Sequence, residues 1–370
     1  MKILAVNNTV MLGRPDGIFI YRANAKFLIE LARRVEKLEF FQFLMKSGAH
    51  DSIADFNILD RGFDITAVKR GRTKLVPYIK AFWTGFWRIR ACDFLYLYYP
   101  GNICIVLALI AILQRKPFGL YVRGQHGIGS RISRFLYRRA VVSLTISPEF
   151  TGRIRRAGGN AETVRPMMEV GEEDIVADRV YAAKAVYSLL SVGRIVADKG
   201  SFDLVAALKV LADRGIRRFR LDVVGDGPDA AALMKQAADL GLSDVIAFHG
   251  PIMDRGILKT FFREADLFVL PTHHEGFPRV LYEAMIAGLP ILTTPVGTIP
   301  ALMKDGVNCY HFPPKDPARL AARIAEVLED YPNKAAVAVE GTRTIREYLR
   351  DKPETHARQL TRILAEKGIS

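Results

Sequence analysis

The chain has 370 residues, with 53 Lys and Arg against 39 Asp and Glu, so its formal net charge is +14. Half of the residues are hydrophobic and a quarter are charged, a composition that excludes a disordered or collagen-like protein. At about 100–200 residues per domain, this length predicts two domains, or at most three.

Cysteine usage and hydropathy narrow the class of protein. Cys92, Cys104 and Cys309 are far apart and have no His at metal-ligand spacing, so neither a disulfide scaffold nor a zinc module is expected. The first residues, MKILAV, lack the apolar segment and cleavage site of a secretory signal. The longest apolar run, residues 103–113, has eleven residues, well short of the roughly 20 that span a bilayer. We therefore expect a soluble protein of the reducing cytoplasm.

The positive charge is concentrated in one half of the chain. Residues 1–170 contain 27 Lys and Arg and 12 Asp and Glu, a balance of +15, whereas residues 171–370 contain 26 and 27, a balance of −1. This asymmetry indicates an anionic partner for the first half: a nucleic acid, a membrane surface or a phosphate-bearing acceptor.

Short apolar runs alternate with longer helical patterns along the whole chain. The runs are residues 2–6, 93–99, 118–122, 142–147, 187–193, 219–225, 245–250, 266–272 and 289–295. Strands separated by helices form β-α-β units with parallel sheets, so we expect an α/β protein with two Rossmann-like domains. The domains are predicted at residues 1–170 and 186–340, and a C-terminal helix at about 345–370 is expected to pack back on the first.

The first candidate site segment, residues 192–200, is a strand end followed by a Gly-marked loop and a helix. Phosphates bind where the chain enters a helix at the carboxyl edge of a parallel sheet. Arg194 offers a planar donor fork and Lys199 a compact charge, which suit two linked phosphates. A surface loop with solvated charges explains the same residues equally well.

Two further glycine turns follow strands. The turn at 224–228 (VGDGP) needs no ligand, and a tight turn is the favoured explanation of Asp226. The turn at 248–251 (FHGP) exposes backbone amides around Gly250 that can meet a base, while His249 is more simply an ordinary strand-end residue.

The fourth segment, residues 265–290, contains two carboxylates in different settings. Its strand ends near residue 272, Pro278 suits the first turn of a helix, and Gly288 ends that helix. Glu275 is thus placed in the loop and Glu283 in the second helical turn. One carboxylate can address a sugar and the other a ribose.

A diphosphate fits between those carboxylates. The backbone amides of Gly276 and Phe277 are predicted to point out of the positive end of the helix. Pro278 and Leu281 complete the set of residues assigned to the nucleotide-sugar site.

These segments resemble the retaining family 4 glycosyltransferases. The resemblance rests on Glu275-x7-Glu283, on GRIVADKG at 193–200, on VGDGP and on the segment 293–317, and it covers residues 186–330. It implies a GT-B fold, in which two Rossmann-like domains with parallel sheets face each other across a cleft.

The resemblance also implies roles for four side chains. Arg194 and Lys199 bind the donor diphosphate, Glu283 binds the ribose hydroxyls, and Glu275 contacts the transferred sugar. The chain departs from the family at Thr298 and Ala301, where a Gly and a Glu are usual, and at Cys309, where Gly is common. Because the lost Glu often lies near the donor, an unusual donor preference is expected.

The predicted chemistry needs no metal and no cofactor. Expulsion of a nucleoside diphosphate builds negative charge on the β-phosphate, which a preorganised Arg, Lys and helix N-terminus stabilise. The chain contains no D-x-D pair, the usual metal chelate of metal-dependent glycosyltransferases, although an E-x-D at residues 172–174 and distant pairs are alternatives.

The first half is interpreted as the acceptor side. The family has a Gly-rich loop after the first strand, and Gly17 is the best-placed glycine here for close approach to the donor phosphate. A catalytic His often follows the fourth strand, where this chain has Arg123 and, three residues later, His126. Either side chain is a candidate for the reaction centre, and His126 is equally explained as an idle loop residue.

Residues 69–90 (KRGRTKLVPYIKAFWTGFWRIR) form a predicted helix with a narrow polar stripe of Lys80, Thr84 and Arg88. Both tryptophans of the chain lie here among basic residues, which is typical of an interfacial membrane element. A helix facing the core of the first domain is the alternative.

The predicted function is transfer of a sugar from a nucleotide-diphosphate sugar to a glycan or lipid-linked acceptor, in cell-surface polysaccharide or lipopolysaccharide synthesis. A peripheral position on an anionic membrane is expected, on the inner face of the cytoplasmic membrane. A nucleotide-sugar epimerase of the same fold is one alternative, and a nucleic-acid-binding protein is the weakest, because no nucleic-acid module accompanies the charge.

Overall fold

The structure, a computed structural model, describes residues 1–7, 11–46, 54, 56–59, 61–69, 75–122, 129–167, 171–275, 277–351 and 354–369. The chain forms two compact units. The first consists of residues 1–169 with 352–370, and the second of residues 170–351.

The first unit is built from ten described strands and six helices. The strands are β1 (Lys2–Val6), β2 (Met11–Arg14), β3 (Gly17–Ile20), β4 (Lys37–Lys46), β5 (Phe56–Asn57), β6 (Asp64–Lys69), β7 (Phe94–Tyr99), β8 (Phe118–Val122), β9 (Val142–Thr145) and β10 (Ala161–Thr163). The helices are α1 (Arg22–Ala32), α2 (Leu75–Ala91), α3 (Asn102–Leu113), α4 (Arg131–Arg139), α5 (Pro148–Arg156) and α14 (His356–Glu366).

These strands pair into one sheet in the order β10-β9-β8-β7-β1-β4-β2-β3-β5, with β6 on β4. All pairs are parallel except β2–β3 and β3–β5. Every residue of β7, FLYLYY, is buried, as expected for a parallel strand covered on both faces. The two covering layers form separate cores: α2 to α5 pack on one face, and α1 and α14 on the other.

Helix α2 packs on the core through Ala81, Gly85 and Ile89. Ala81 and Ile89 are buried, and Gly85 between them leaves room for Leu107 of α3, which a Cβ at this position would overlap. Trp83 and Trp87 lie on the exposed face. The core-facing interpretation of this helix is therefore wrong for its tryptophans.

The second unit contains six described strands and eight α-helices. The strands are β11 (Tyr187–Val192), β12 (Phe219–Val224), β13 (Ile246–Gly250), β14 (Leu267–Leu270), β15 (Ile291–Thr293) and β16 (Tyr310–His311). The helices are α6 (Ser201–Asp213), α7 (Ala230–Asp239), α8 (Arg255–Glu264), α9 (Arg279–Ile286), α10 (Ile299–Leu302), α11 (Pro317–Glu329), α12 (Tyr331–Lys334) and α13 (Val337–Asp351).

The second sheet is parallel throughout, in the order β13-β12-β11-β14-β15-β16. The chain runs from β11 outward to β13, then returns to place β14 on the opposite side of β11. The connections from β11 to β12 and from β14 to β15 therefore leave the carboxyl edge of the sheet in opposite directions. Such a topological switch point is where open α/β sheets bind their ligands.

The predicted strands are present at the expected places, with ends within three residues of those predicted. Strands β4 and β6 and the β2–β3 hairpin were not predicted. In β4 the polar residues Glu39 and Gln42 interrupt the apolar run. Within the described ranges, no helix is both long and apolar enough to cross a membrane.

The structure predicts that the thiols resist modification in the folded protein. Cys92, Cys104 and Cys309 are buried, and burial raises the pKa of Cys92 to about 11 and that of Cys309 to about 12. Since the thiolate is the reactive form, about one Cys92 in a thousand is ionised at pH 8. Titration with a chromogenic disulfide should detect almost no thiol before unfolding in guanidinium and three per chain afterwards. Rapid native reaction of one thiol would contradict this packing.

Candidate functional site

The loops after β11 and β14 are locked together by backbone contacts. Gly200 has φ of +70°, and a Cβ on it would overlap the carbonyl oxygen of Pro271. This close approach lets the amide of His273 donate to the carbonyl of Asp198 at 2.9 Å. The His273 ring is also hydrogen-bonded to Asp203, with Nε2 and Oδ2 2.6 Å apart. The two loops are thus held against each other at the switch point, on the carboxyl edge of the sheet.

Lys199 and Glu275 meet on that edge. The Lys199 ammonium forms an ion pair with the Glu275 carboxylate, and both side chains are partly buried. Arg194, earlier in the loop after β11, is exposed. The sequence placed these cations at the diphosphate and the carboxylate at the sugar. The structure brings Lys199 and Glu275 into direct contact, which fits a ligand whose sugar and diphosphate are covalently joined.

The neighbouring glycine turns support this edge structurally. A Cβ on Gly225 would overlap the carbonyl oxygen of Gly193, and the Gly225 amide donates to the carbonyl of Gly250 at 2.8 Å. Asp226 accepts a 2.7 Å hydrogen bond from the amide of Gly227, as a turn residue does. The tight-turn explanation of Asp226 therefore suffices, because the VGDGP glycines are needed to pack three strand ends together.

Helix α9 carries the second carboxylate. Pro278, predicted for the first turn, precedes the first helical residue in an extended conformation. Leu281 is fully buried and fixes the helix in the core. Glu283, in the second turn as expected, pairs with Arg255 at 3.0 Å. Asp254 caps the N-terminus of α8 by accepting backbone hydrogen bonds, which places Arg255 at the start of that helix.

Phe277 and His249 also have partners in the structure. The Phe277 ring lies 4.6 Å from that of Tyr282, which in turn lies 5.5 Å from Tyr348. His249 is 2.7 Å from Asp222, in keeping with an ordinary strand-end residue. The Phe277 ring therefore anchors the residue whose backbone amide was assigned to the diphosphate.

A small open-sided pocket lies between α8 and α9. Arg255 and Glu283 line one part of it, and Asp174, Lys259 and Phe262 line the rest. The loops that carry Lys199 and Glu275 are not part of its wall. The pocket therefore meets the predicted site at the Arg255–Glu283 pair.

Three of the predicted site residues, Gly276, Arg123 and His126, lie outside the described residues. Gly17 is the first residue of β3 in the β2–β3 hairpin, and a Cβ there would overlap the side chain of Asn57. The absence of a side chain at Gly17 thus has a local packing reason, and its contact with a donor phosphate stays a prediction.

Sequence reasoning missed the partners of the motif residues. Arg255 pairs with Glu283 across 28 positions, while Asp203 and His273 are 70 positions apart. The acidic residue at the third position of α6 and the His next to the motif were visible in the sequence. Their pairing follows only from the contact between the two loops.

The family of the second unit follows from a sequence comparison. Residues 180–344 match the family model of glycosyl transferases group 1. This match contains both carboxylates, both glycine turns and the locked loops described above. The chain carries a group 1 glycosyltransferase domain.

Curated relatives match the chain in part. It is 31% identical over 198 residues to the putative colanic acid biosynthesis glycosyltransferase WcaL of Salmonella typhimurium, covering 52% of this chain and 48% of that one. It is 28% identical over 272 residues to a 2-deoxystreptamine glucosyltransferase of Streptomyces kanamyceticus, covering 70% and 67%. The chain therefore spans about half the length of WcaL.

Solved structures resemble the chain over nearly its whole length. HepE of Anabaena, solved with UDP, matches with a TM-score of 0.68 at 19% identity, covering 94% of this chain and 95% of that one. A sucrose-phosphate synthase of Thermosynechococcus elongatus matches with a TM-score of 0.68 at 16% identity, covering 99% of each chain. At these identities the likeness concerns the fold alone, and it confirms the predicted GT-B fold.

The contact between Gly200 and Pro271, which joins the two loops, predicts that alanine destabilises the protein more at Gly200 than at a glycine with the same backbone conformation but free space around it. Gly200 and Gly215 have φ of +70° and +78°, but a Cβ on Gly215 meets nothing within 4 Å. Gly215→Ala should cost about 1–2 kcal/mol of unfolding free energy from backbone strain alone. Gly200→Ala should cost about 1–3 kcal/mol more, because Cβ displaces the Pro271 carbonyl. Urea unfolding of both variants measures the difference, and equal losses would contradict the lock.

Proposed function

We propose that the protein is a retaining, metal-independent glycosyltransferase that moves a sugar from a nucleotide-diphosphate sugar to a glycan or lipid-linked acceptor. The observation that carries the proposal is the contact of Lys199 with Glu275 at the switch point of the second sheet. It joins a cation suited to phosphate with a carboxylate suited to sugar hydroxyls in the place where open α/β sheets bind ligands.

In the proposed reaction the bond between the anomeric carbon and the β-phosphate oxygen breaks, and the nucleoside diphosphate leaves with its electrons. The acceptor hydroxyl oxygen forms the new bond to the anomeric carbon, and its proton passes to the departing β-phosphate. Arg194 and Lys199 then stabilise the negative charge that grows on the β-phosphate. Lys199 exchanges its ion pair with Glu275 for the phosphate when the donor binds. This exchange releases Glu275 to orient the sugar hydroxyls.

We assign nucleoside binding to Glu283. Its carboxylate accepts hydrogen bonds from the ribose hydroxyls, and Arg255 holds it in position from α8. The UDP complex of the structurally similar HepE supports a nucleoside diphosphate as the ligand class.

We further propose that the acceptor belongs to a cell-surface polysaccharide or lipopolysaccharide. The similarity to WcaL, described as a colanic acid biosynthesis glycosyltransferase, supports this assignment. The acceptor-side residues Arg123 and His126 remain the candidates for the reaction centre, and the first unit is proposed to work at the inner face of the cytoplasmic membrane.

Substitution of Lys199, the cation assigned to the donor diphosphate, tests the proposed reaction. Lys199→Ala should lower the rate of nucleoside diphosphate release from a panel of UDP-, GDP- and ADP-sugars by about 10²–10³. Lys209→Ala is the matched control, because Lys209 also forms an ion pair, with Asp213 on α6, away from the loops. The rate with either enzyme should survive excess EDTA. Loss of activity in EDTA with recovery in Mn²⁺ would overturn metal independence, and a Lys199→Ala rate equal to that of the control would overturn the diphosphate placement.

The two carboxylates should separate binding from turnover. Glu283→Gln should weaken nucleoside diphosphate binding by about 1–3 kcal/mol, because the ribose loses its charged acceptor. Glu275→Gln should leave that binding nearly unchanged and lower turnover with the sugar donor. Calorimetric titration and initial rates measure the two effects, with Glu326→Gln, which removes an ion-paired carboxylate on α11, as the control. The same small effect in all three variants would refute both assignments.

Interconversion of donor-sugar epimers without transfer to an acceptor would instead favour the alternative function, a nucleotide-sugar epimerase of the same fold.

A further inference from the structure

Helix α2 exposes a stripe of large apolar side chains on the first unit. Val76 is 66% exposed, Ile79 50%, Trp83 56% and Trp87 62%. Their spacing of three or four residues puts them on one side of the helix, over about 16 Å at 1.5 Å per residue. Both tryptophans of the chain therefore lie in one exposed row that its own core does not use.

The neighbouring helix α3 also exposes apolar side chains. The Gln114 side-chain amide donates to the carbonyl of Phe86 at 2.9 Å, which fixes the end of α3 beside α2. Leu109 and Leu113, one turn apart on α3, are 42% and 77% exposed. Exposed apolar side chains grouped on two adjacent helices, unlike single ones scattered over a surface, mark an interaction site.

The surroundings of this apolar surface are basic. Residues 65–148 contain 14 Lys and Arg and a single acidic residue, Asp93. Lys80 and Arg90 lie exposed on α2 itself. The exposed arginines of α4 and α5, whose inner faces belong to the same core layer as α2 and α3, are Arg131, Arg134, Arg138, Arg139, Arg153, Arg155 and Arg156.

The combination of exposed apolar side chains with basic surroundings favours one kind of binding partner. A second copy of the chain would bring two strongly basic layers together, and like charges oppose that association. Nucleic acid suits the arginines but offers no partner for exposed Val, Ile and Leu side chains. An anionic lipid bilayer satisfies both, since its headgroups attract Lys and Arg and its acyl boundary accepts Trp and aliphatic side chains.

We propose that the outer face of α2 and α3 docks on an anionic bilayer. Trp83 and Trp87 enter the boundary between headgroups and acyl chains, with Lys80 and Arg90 at the phosphates. The arginines of α4 and α5 extend the electrostatic contact. This inference does not depend on the glycosyltransferase assignment, because no residue of the donor site takes part.

Co-sedimentation of the full chain with lipid vesicles tests whether the outer face of α2 and α3 binds an anionic bilayer. Binding should be strong to vesicles containing one part phosphatidylglycerol in three, weak to pure phosphatidylcholine, and reduced in high salt. Trp83→Ser with Trp87→Ser should weaken binding about tenfold and leave its salt dependence in place. Lys80→Glu with Arg90→Glu should weaken it by about 25-fold or more, at roughly fivefold per neutralised charge.

Matched variants on the second unit control for the loss of any exposed apolar side chains and for the reversal of any exposed charges. Met234→Ser with Val339→Ser removes exposed apolar groups, and Arg214→Glu with Arg217→Glu reverses exposed charges. Both should bind vesicles like the unchanged protein, and circular dichroism melting should show that all four double variants fold. The proposal is overturned by absence of sedimentation with anionic vesicles at low salt, or by equal binding of the α2 variants and the controls. It is overturned as well by a dimer that the tryptophan changes dissociate, or by duplex DNA that competes fully with vesicles.

Discussion

The candidate site depends on the close approach of Gly200 to the carbonyl of Pro271. Only a residue without a side chain fits there, and its φ of +70° also favours glycine. The approach brings the loop after β14 within hydrogen-bond distance of the loop after β11, so that His273 reaches both Asp198 and Asp203. Lys199 and Glu275 then meet because their backbones are already held. The position of the charged groups is thus set by backbone packing rather than by their own attraction, which is weak for a partly exposed pair.

The order of the strands determines where this contact occurs. Because β14 lies beside β11, on the opposite side from β12, the loops after β11 and β14 begin next to each other at one sheet edge. The turns after β12 and β13 close the other side through Gly225 and Gly250. The glycine-rich segments of the sequence therefore divide into two groups. Gly225 and Gly227 pack strand ends together, whereas Gly200 positions the charged residues.

The sequence predicted the second unit better than the first, for physical reasons. Buried parallel strands are short continuous apolar runs, so β11 to β15 were visible directly, and the Glu275-x7-Glu283 spacing located the site. In the first unit, β4 was missed because Glu39 and Gln42 break its apolar pattern. The partners of the motif residues were missed because pairs such as Arg255 and Glu283 depend on how two helices pack. For α2, the periodicity predicted the helix but not which side faces the core. Gly85 lets that side pack closely on Leu107 of α3, and this orientation leaves the tryptophans exposed.

The most direct test of the account is whether the switch-point edge recognises a diphosphate. Thermal unfolding of the protein should be measured with UDP, GDP and ADP, and with the corresponding monophosphates, since a ligand that binds only the folded state raises Tm. At least one diphosphate should raise Tm more than its monophosphate, and that excess should vanish in the double variant Arg194→Ala with Lys199→Ala. A diphosphate excess that persists in the double variant, or no response to any of the three diphosphates, would contradict the account.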